Sequence, residues 1–318
     1  MFSANYYLQT PGPGTFAGFP TLRPTYVLVT PARNEAAFLE QTISSVVAQT
    51  IRPLKWIIVN DGSTDSTGEI VRRHAATHEW IELISMPPRT DRHFAGKARA
   101  FNEGYSRFRG LEFDVVGSLD ADITFEPDYF AFLLERFAND SRLGVAGTPF
   151  REGTDQYDYR FTRKEHVSGA CQLFRHACFE SIGGYTPIPG GGVDLVAVIT
   201  ARMNGWRTET FTEKYCLHHR PMGTAKHHPL GKIFRDGYYD YPLGVRPLYK
   251  IVSCAYRVTQ KPYLIGAIVH AGGYIWAMLR RPKTPVTPAF IRFRYTEQMH
   301  WLRAYLRKFL RLESSLPR

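Results

Sequence analysis

The chain has little cysteine and no arrangement that would use it. Its 318 residues hold four cysteines, Cys171, Cys178, Cys216 and Cys254, with no Cys-x-x-Cys pair among them. That excludes a zinc ribbon and a disulfide framework, and points to reduced thiols in a cytosol-facing protein. No internal repeat is apparent, so repeat architectures are excluded as well. Met1–Pro20 is rich in Gly, Pro and aromatic residues but has no basic segment ahead of an apolar one; no signal peptide is expected there, and residues 1–22 are expected to form a flexible arm. The long uncharged stretch, Pro262–Leu279, contains His270, Gly266, Gly272 and Gly273 and stands at the short limit for a membrane span. An interfacial or re-entrant element and a buried core helix are the stronger readings.

What is present is an ordinary globular composition, 44% hydrophobic and 22% charged, long enough to bury a full core. The net charge of +11 is unevenly placed. Residues 280–318 carry +8, and residues 1–279 are nearly balanced at +3. A basic C-terminal segment calls for an anionic surface, lipid headgroups or nucleic acid. No nucleic-acid-binding motif accompanies it, so no nucleic acid beyond a nucleotide is expected as a partner.

Buried strands alternate with amphipathic helices through the first half. Strands are expected at Tyr26–Thr30, Trp56–Val59, Trp80–Ser85 and Phe113–Leu119, with helices at Ala36–Gln49, after Asp65, at Ala98–Arg107 and at Asp128–Phe137. That order predicts an α/β fold with a mostly parallel central sheet and helices on both faces. Further strands are expected at Gly144–Phe150, Gly169–Phe174 and Trp206–Phe211, and a helix at Val193–Asn204. Beyond Leu248 the character changes. Thr287-Pro288 offers an N-cap and N1 proline for a basic amphipathic helix reaching about Leu312, which would lie on a membrane surface or equally pack on the body with its basic face in solvent. The expected division is an arm over 1–22, a main domain over 23–248, and a helical, basic, membrane-associating region over 249–318.

Chemistry is concentrated at strand ends. Asp120-Ala121-Asp122 places two carboxylates where a buried strand emerges, the usual location of sites in open α/β sheets. Hard oxygen ligands there suit Mg²⁺ or Mn²⁺, which would in turn hold a diphosphate. Alone, such a pair is more often a solvated loop end or helix cap. Thr30-Pro31-Ala32-Arg33-Asn34-Glu35 follows the first strand; Glu35 can accept from a ribose or base, or simply complement a helix dipole. Asn60-Asp61-Gly62-Ser63-Thr64-Asp65 follows the second strand, and Gly62 allows close backbone approach. Lys97, at a helix start, opposes the dipole and requires an anionic partner. Arg89, Arg92 and His93 could add positive potential nearby, and an ordinary surface loop explains them equally. Gly190-Gly191-Gly192-Val193-Asp194 precedes a helix, where Asp194 could be a cap. His218-His219-Arg220 follows a strand; adjacent side chains there point to opposite faces, so one histidine of the two is expected to serve. His227-His228 lacks a closed tetrahedral ligand set and is set aside as a zinc site. Arg235 and Arg246 could bind a phosphate, but a plain surface role is the stronger reading for each.

In this order, from about Tyr26 to Gly223, these segments resemble the family-2 glycosyltransferases, which have a GT-A-type fold and use nucleotide-diphosphate sugars. The resemblance implies roles residue by residue. Thr30, Pro31, Glu35, Asp61, Lys97 and Asp120 would bind the nucleotide sugar. Asp120, Asp122 and a histidine from His218 and His219 would approach Mn²⁺ or Mg²⁺. Asp194 would be the general base of an inverting transfer. Asn60 departs from the family's usual Asp, and Val193 from its usual Glu. Gln298-Met299-His300-Trp301 does not supply the Gln-x-x-Arg-Trp signature of the family's processive polymerases, so single-sugar transfer is expected. The implied donor is a UDP-sugar, and the acceptor a hydroxyl of a lipid-linked or saccharide molecule. The work would be cell-surface polysaccharide or glycolipid synthesis, carried out by a peripheral or monotopic enzyme on an anionic membrane surface at its cytoplasmic face. The alternative is a nucleotide-sugar or glycan-binding module without catalysis.

Overall fold

The computed structural model describes residues 23–88, 95–153, 155–156, 163–220 and 229–313. The expected arm, Arg89, Arg92, His93 and His227-His228 lie outside them.

Seven strands form the main sheet: β1 (Tyr26–Ala32), β2 (Lys55–Asn60), β3 (Ile81–Ser85), β4 (Val115–Leu119), β6 (Leu143–Gly147), β9 (Cys171–Arg175) and β10 (Arg207–Thr210). Their spatial order is β10-β6-β9-β4-β1-β2-β3. All neighbours are parallel except β9, which runs antiparallel to both β4 and β6. The strands are continuous runs of buried apolar residues because both faces are covered. One core cluster gathers Leu28, Ile58, Leu119 and Leu133, and another Val29, Val59, Phe101 and Phe174. Helix α1 (Leu39–Val47) buries Leu39, Ile43 and Val46, one stripe at helical spacing. The chain from β1 goes to β2 and β3 on one side, and β4 lies on the other. The carboxyl ends of β1 and β4 therefore flank the switch point of the sheet, where a crevice opens.

The first strand was expected over Tyr26–Thr30, but β1 continues through Pro31 to Ala32. β4 accompanies β1 only as far as Val29, which leaves an open flank where a proline can sit. Periodicity also gave no sign of a second sheet. Short strands β5 (Ile123–Thr124), β7 (Phe150–Glu152), β8 (Asp155–Gln156) and β11 (Cys216–His218) assemble in the order β5-β11-β7-β8. Strands of two or three residues are too short to show alternation.

The other helices of the first part are α2 (Thr67–Ala75), α3 (Ala95–Tyr105), α4 (Tyr129–Asn139), α5 (His176–Ser181) and α6 (Val193–Met203). The last part holds α7 (Pro229–Asp240), α8 (Pro247–Arg257), α9 (Tyr263–Arg280) and α10 (Pro288–Glu313). The division expected after residue 248 falls in the first turn of α8, and α7, which precedes it, packs closely on α9. A Cβ at Gly273 would overlap the carbonyl of Phe234, and one at Gly237 the carbonyl of His270. Among the described residues no helix is long and apolar enough to cross a membrane. All four cysteines are free.

Candidate active site

Each element around the crevice delivers one part of the site. β4 ends at Leu119, and the Asp120 amide donates to the Ala170 carbonyl at 2.9 Å, extending the ladder to β9 by one step. Thr42 on α1 donates from its hydroxyl to the Ala121 carbonyl at 2.8 Å, in a fully buried contact. The Asp-x-Asp turn is thus pinned from two sides. β5 follows directly and pairs antiparallel with β11, setting Ile123 opposite His218. That short pairing brings His218 Nε2 to 3.5 Å from Asp122 Oδ1. Asp120, Asp122 and His218 each offer a ligand atom, all within 4.8 Å of one another. Two carboxylates and an imidazole form a donor set suited to Mn²⁺. Glu152 on β7 stands behind His218, with Oε1 2.9 Å from Nδ1 but off the axis of a hydrogen bond.

His219 faces the other way. Its Nε2 is 2.9 Å from the Thr124 hydroxyl, and its ring stacks on Phe38. One histidine of the pair was expected to serve, and the alternation of side chains along the strand sends His218 to the acidic pair and His219 to Thr124 and Phe38.

Lys97, on the first turn of α3, donates from Nζ to Asp120 Oδ1 and reaches the Gly169 carbonyl at 3.4 Å. Burial works to lower the Lys97 ammonium, but the carboxylates of Asp120, Asp194 and Asp122 outweigh it and raise its pKa. Burial raises the Asp120 carboxyl above the usual range; Lys97 pulls it down and Asp122 pushes it further up. A cation at the start of α3 has here the anionic partner that the helix dipole demands.

Asp194 sits in the first turn of α6, and its carboxylate lies against Gly169, where a Cβ would come within 2.8 Å of Oδ2. Gly192, the N-cap, has φ 83° and Gly191 has φ 96°, left-handed values that admit glycine readily. The ring of Tyr239 on α7 occupies the space that a Cβ at Gly190 would need. The glycine loop before Asp194 is therefore moulded on α7. Lys97, Asp120, Asp194 and His218 line one cavity of about 280 Å³, together with Ser168 and Tyr185. That volume is just below the usual range of ligand sites, about 300–1,000 Å³.

A second group of the expected site residues lies at the ends of β1 and β2. Asp61 is buried at the end of β2, and its amide donates to the Ala32 carbonyl. Asn60, in place of the expected Asp, accepts from the Ser63 amide at 2.9 Å and shapes the turn. Asp65 accepts from the Thr67 amide at the start of α2 and from the Ala36 amide across the loop. Glu35 is engaged by Arg220, whose Nη2 lies 2.5 Å from Oε2 and also donates to the Asn34 carbonyl. Arg220 Nε is 3.9 Å from Asp122 Oδ2, so this arginine links the first-strand loop to the acidic pair.

Thr30, expected among the nucleotide contacts, has its side chain turned into the core. It is fully buried, and its hydroxyl accepts from the Trp56 indole N–H at 2.9 Å, inside the core. Arg220 was visible as the third member of His-His-Arg, and Glu152 and Tyr185 had no sequence signal. Gln298 is buried and serves the backbone, accepting from the Arg246 amide and donating to the Gly244 carbonyl. Trp301 lies under the Arg163 guanidinium, 3.1 Å from ring centroid to Cζ.

Comparisons with known proteins agree with this geometry. The family model described as "Glycosyl transferase family 2" matches residues 27–190. The chain is 30% identical over 145 residues to the poly-beta-1,6-N-acetyl-D-glucosamine synthase of Staphylococcus aureus (strain COL), covering 45% of this chain and 31% of that protein. It is 32% identical over 198 residues to the "Probable glycosyltransferase YdaM" of Bacillus subtilis (strain 168), covering 60% and 44%. The match thus spans less than half the length of each of these two curated relatives. Among solved structures, the mannosyltransferase PcManGT from Pyrobaculum calidifontis, in complex with GDP-Man and Mn²⁺, is 21% identical with a TM-score of 0.55, covering 94% of this chain and 84% of that one. S. aureus TarS 1–349 in complex with UDP-GlcNAc is 12% identical with a TM-score of 0.52, covering 80% and 73%. At these identities the likeness is one of fold.

Proposed function

Because the chain belongs to glycosyl transferase family 2, we propose that it is an inverting, divalent-metal-dependent enzyme. It moves one sugar from a nucleotide-diphosphate donor to a hydroxyl of a lipid-linked or saccharide acceptor. The observation that carries this reading is the meeting of Lys97, Asp120, Asp194 and His218 in one cavity at the switch point of the sheet, with Asp122 beside them. A bare binding module has no use for Asp194 across the cavity from the acidic pair.

Asp61 would accept from an N–H of the base, and Gly62 would let the nucleoside lie close to the backbone. The Lys97 ammonium would transfer part of its attention from Asp120 to the donor diphosphate. Asp120, Asp122 and His218 would hold Mn²⁺ or Mg²⁺, which would neutralise charge on the departing nucleoside diphosphate. Asp194 would take the proton of the acceptor hydroxyl as its oxygen attacks the sugar C1. The new C1–O bond forms opposite the breaking C1–O bond to the diphosphate, so the configuration inverts. The pair is displaced onto the leaving phosphate, and the proton rests on Asp194.

The donor of choice is UDP-linked, with UDP-N-acetylglucosamine the first to test. The 30%-identical relatives are named as synthases of an N-acetylglucosamine polymer, and the UDP-GlcNAc complex of TarS shares the fold. Polymer formation itself is not carried over from relatives matched over 31% of their length; single transfer is the reading adopted here, in polysaccharide or glycolipid synthesis. The test is thermal stabilisation across a panel of nucleotide sugars with Mn²⁺ or Mg²⁺, followed by release of nucleoside diphosphate in the presence of acceptors. Metal-dependent stabilisation by one donor, then turnover, is expected. Donor binding with no turnover on any acceptor or on water would favour the binding module.

A further inference from the structure

The apolar side of α9 faces outward. Leu264, Ile268, Ile275 and Leu279 follow one another at spacings of four, seven and four, on one stripe of the helix, and each is at least half exposed. Trp276 is beside them and 45% exposed. The opposite stripe, Gly266, Ala267, His270, Gly273, Tyr274 and Ala277, is buried. There Gly273 abuts α7, and His270 meets Lys250 of α8 at 2.7 Å within a network completed by Asp240. His270 and Tyr274 of α9 are thus turned inward, and its outer side has no charged residue between Lys261 and Arg280. A contiguous exposed apolar stripe of this length marks an interaction surface.

The charges around it say what kind. No Asp or Glu occurs between Asp240 and Glu297, while nine Lys or Arg do. Lys261 stands at one end of the stripe, and Arg280, Arg281 and Lys283 at the other. The Arg280 guanidinium lies over the Trp276 ring, 4.6 Å from its centroid, a pairing suited to the boundary between headgroups and acyl chains. A second copy of this chain is a poor occupant. Antiparallel pairing of two α9 stripes would set Lys261 against Arg280, Arg281 and Lys283, and parallel pairing would set like against like. An anionic bilayer answers both the apolar stripe and its basic ends.

We propose that α9 docks in the plane of an anionic membrane surface, with Leu264, Ile268, Ile275, Trp276 and Leu279 entering the acyl boundary and the flanking Lys and Arg residues meeting lipid phosphates. In-plane helices of this kind bury their apolar side by about 5–10 Å. The helix does not cross, which agrees with its length and with the inward-facing His270. Because Tyr239 of α7 moulds the loop before Asp194, and α7 is packed on α9, the docked enzyme holds its acceptor-side loop on the same structural unit as the bilayer contact.

Flotation of the full-length protein with vesicles tests this without donor or metal, so its failure is separate from any failure of the transferase reading. The probes are phosphatidylcholine vesicles with and without 30% phosphatidylglycerol, in low and high salt. Binding is expected to the anionic vesicles, weakened by salt. The double variant Leu264→Asp/Ile268→Asp, substituted at exposed positions, should lose at least about tenfold in partitioning, since two apolar side chains that would enter the acyl boundary become charged. Arg280→Gln/Arg281→Gln/Lys283→Gln should weaken the preference for anionic lipid. Brominated lipid should quench wild type more than Trp276→Phe, a readout that survives if the double variant folds poorly. Wild type that fails to float with anionic vesicles would overturn the proposal. So would quenching independent of Trp276, or a stable dimer in light scattering that the double variant dissociates.

Discussion

The Lys97 ammonium donates a hydrogen bond to the Asp120 carboxylate and lies within the field of Asp122 and Asp194 as well. One cation from the start of α3 thus balances three carboxylates from two other elements. The same ammonium is the group that the diphosphate would draw on.

Lys97→Met should therefore separate two effects. With the cation gone, the carboxylates repel one another and a divalent ion relieves them, so stabilisation by Mn²⁺ alone should be larger than in wild type. Donor affinity should fall by roughly tenfold or more, the scale of a charge-assisted hydrogen bond. Differential scanning fluorimetry with Mn²⁺, then with Mn²⁺ and donor, reads both. A Mn²⁺ effect smaller than in wild type would contradict this account of Lys97.

The two adjacent histidines should differ sharply. Asp122→Asn and His218→Ala should each weaken Mn²⁺ binding by about tenfold or more, measured by titration calorimetry or by the Mn²⁺ electron-spin signal. His219→Ala removes a bond to Thr124 and a stack on Phe38 but no ligand atom. It should leave Mn²⁺ affinity within about twofold, on the same ligand-set argument.

Thr30→Val tests whether the first-strand threonine serves the core or the nucleotide. It leaves the Trp56 indole N–H buried without its acceptor, which should destabilise the fold by about 1–3 kcal/mol. Urea unfolding should show the loss, and donor affinity in Mn²⁺ should be unchanged for the fraction that is folded.

The His270 imidazole is held at about 4, against an ordinary 6.5, chiefly by burial and then by the Lys250 ammonium; Asp240 acts the other way and Arg257 adds to the lowering. Its folded-state pKa is below the unfolded one, so the unfolded chain takes up the proton first as pH falls. Stability is full above about 6.5 and is lost between about 6.5 and 4, by up to about 1.4 kcal/mol per pH unit. The difference in unfolding free energy between pH 7.5 and 5 should shrink in His270→Gln. An unchanged difference would show that His270 is not the group responsible.

Much of this was legible in the chain because strands buried on both faces announce themselves as apolar runs, and the site residues sit where those runs stop. β1, β2 and β4 led directly to Glu35, Asp61, Asp120 and Asp122. The small sheet escaped notice because β5 and β11 are two and three residues long, and it is their pairing that chooses His218 over His219. Thr30 shows the opposite failure, since it stands within a motif yet its side chain belongs to the core. Glu152 and Tyr185 reach the site from elements distant in sequence, by contacts that local pattern does not encode. α9 was recognised as an uncharged stretch, but which side of it is exposed depends on Gly273 and His270 facing α7 and α8.

The central claim is that Asp194 acts on the acceptor across from the donor-holding group. Asp194→Asn, assayed with the nucleotide sugar that stabilises the wild type in Mn²⁺, tests it most directly. Donor affinity should stay within a few-fold, while the rate of transfer should fall by about 10²–10⁴, the contribution of a positioned general base. An Asp194→Asn enzyme that binds donor and transfers sugar at the wild-type rate would contradict the account.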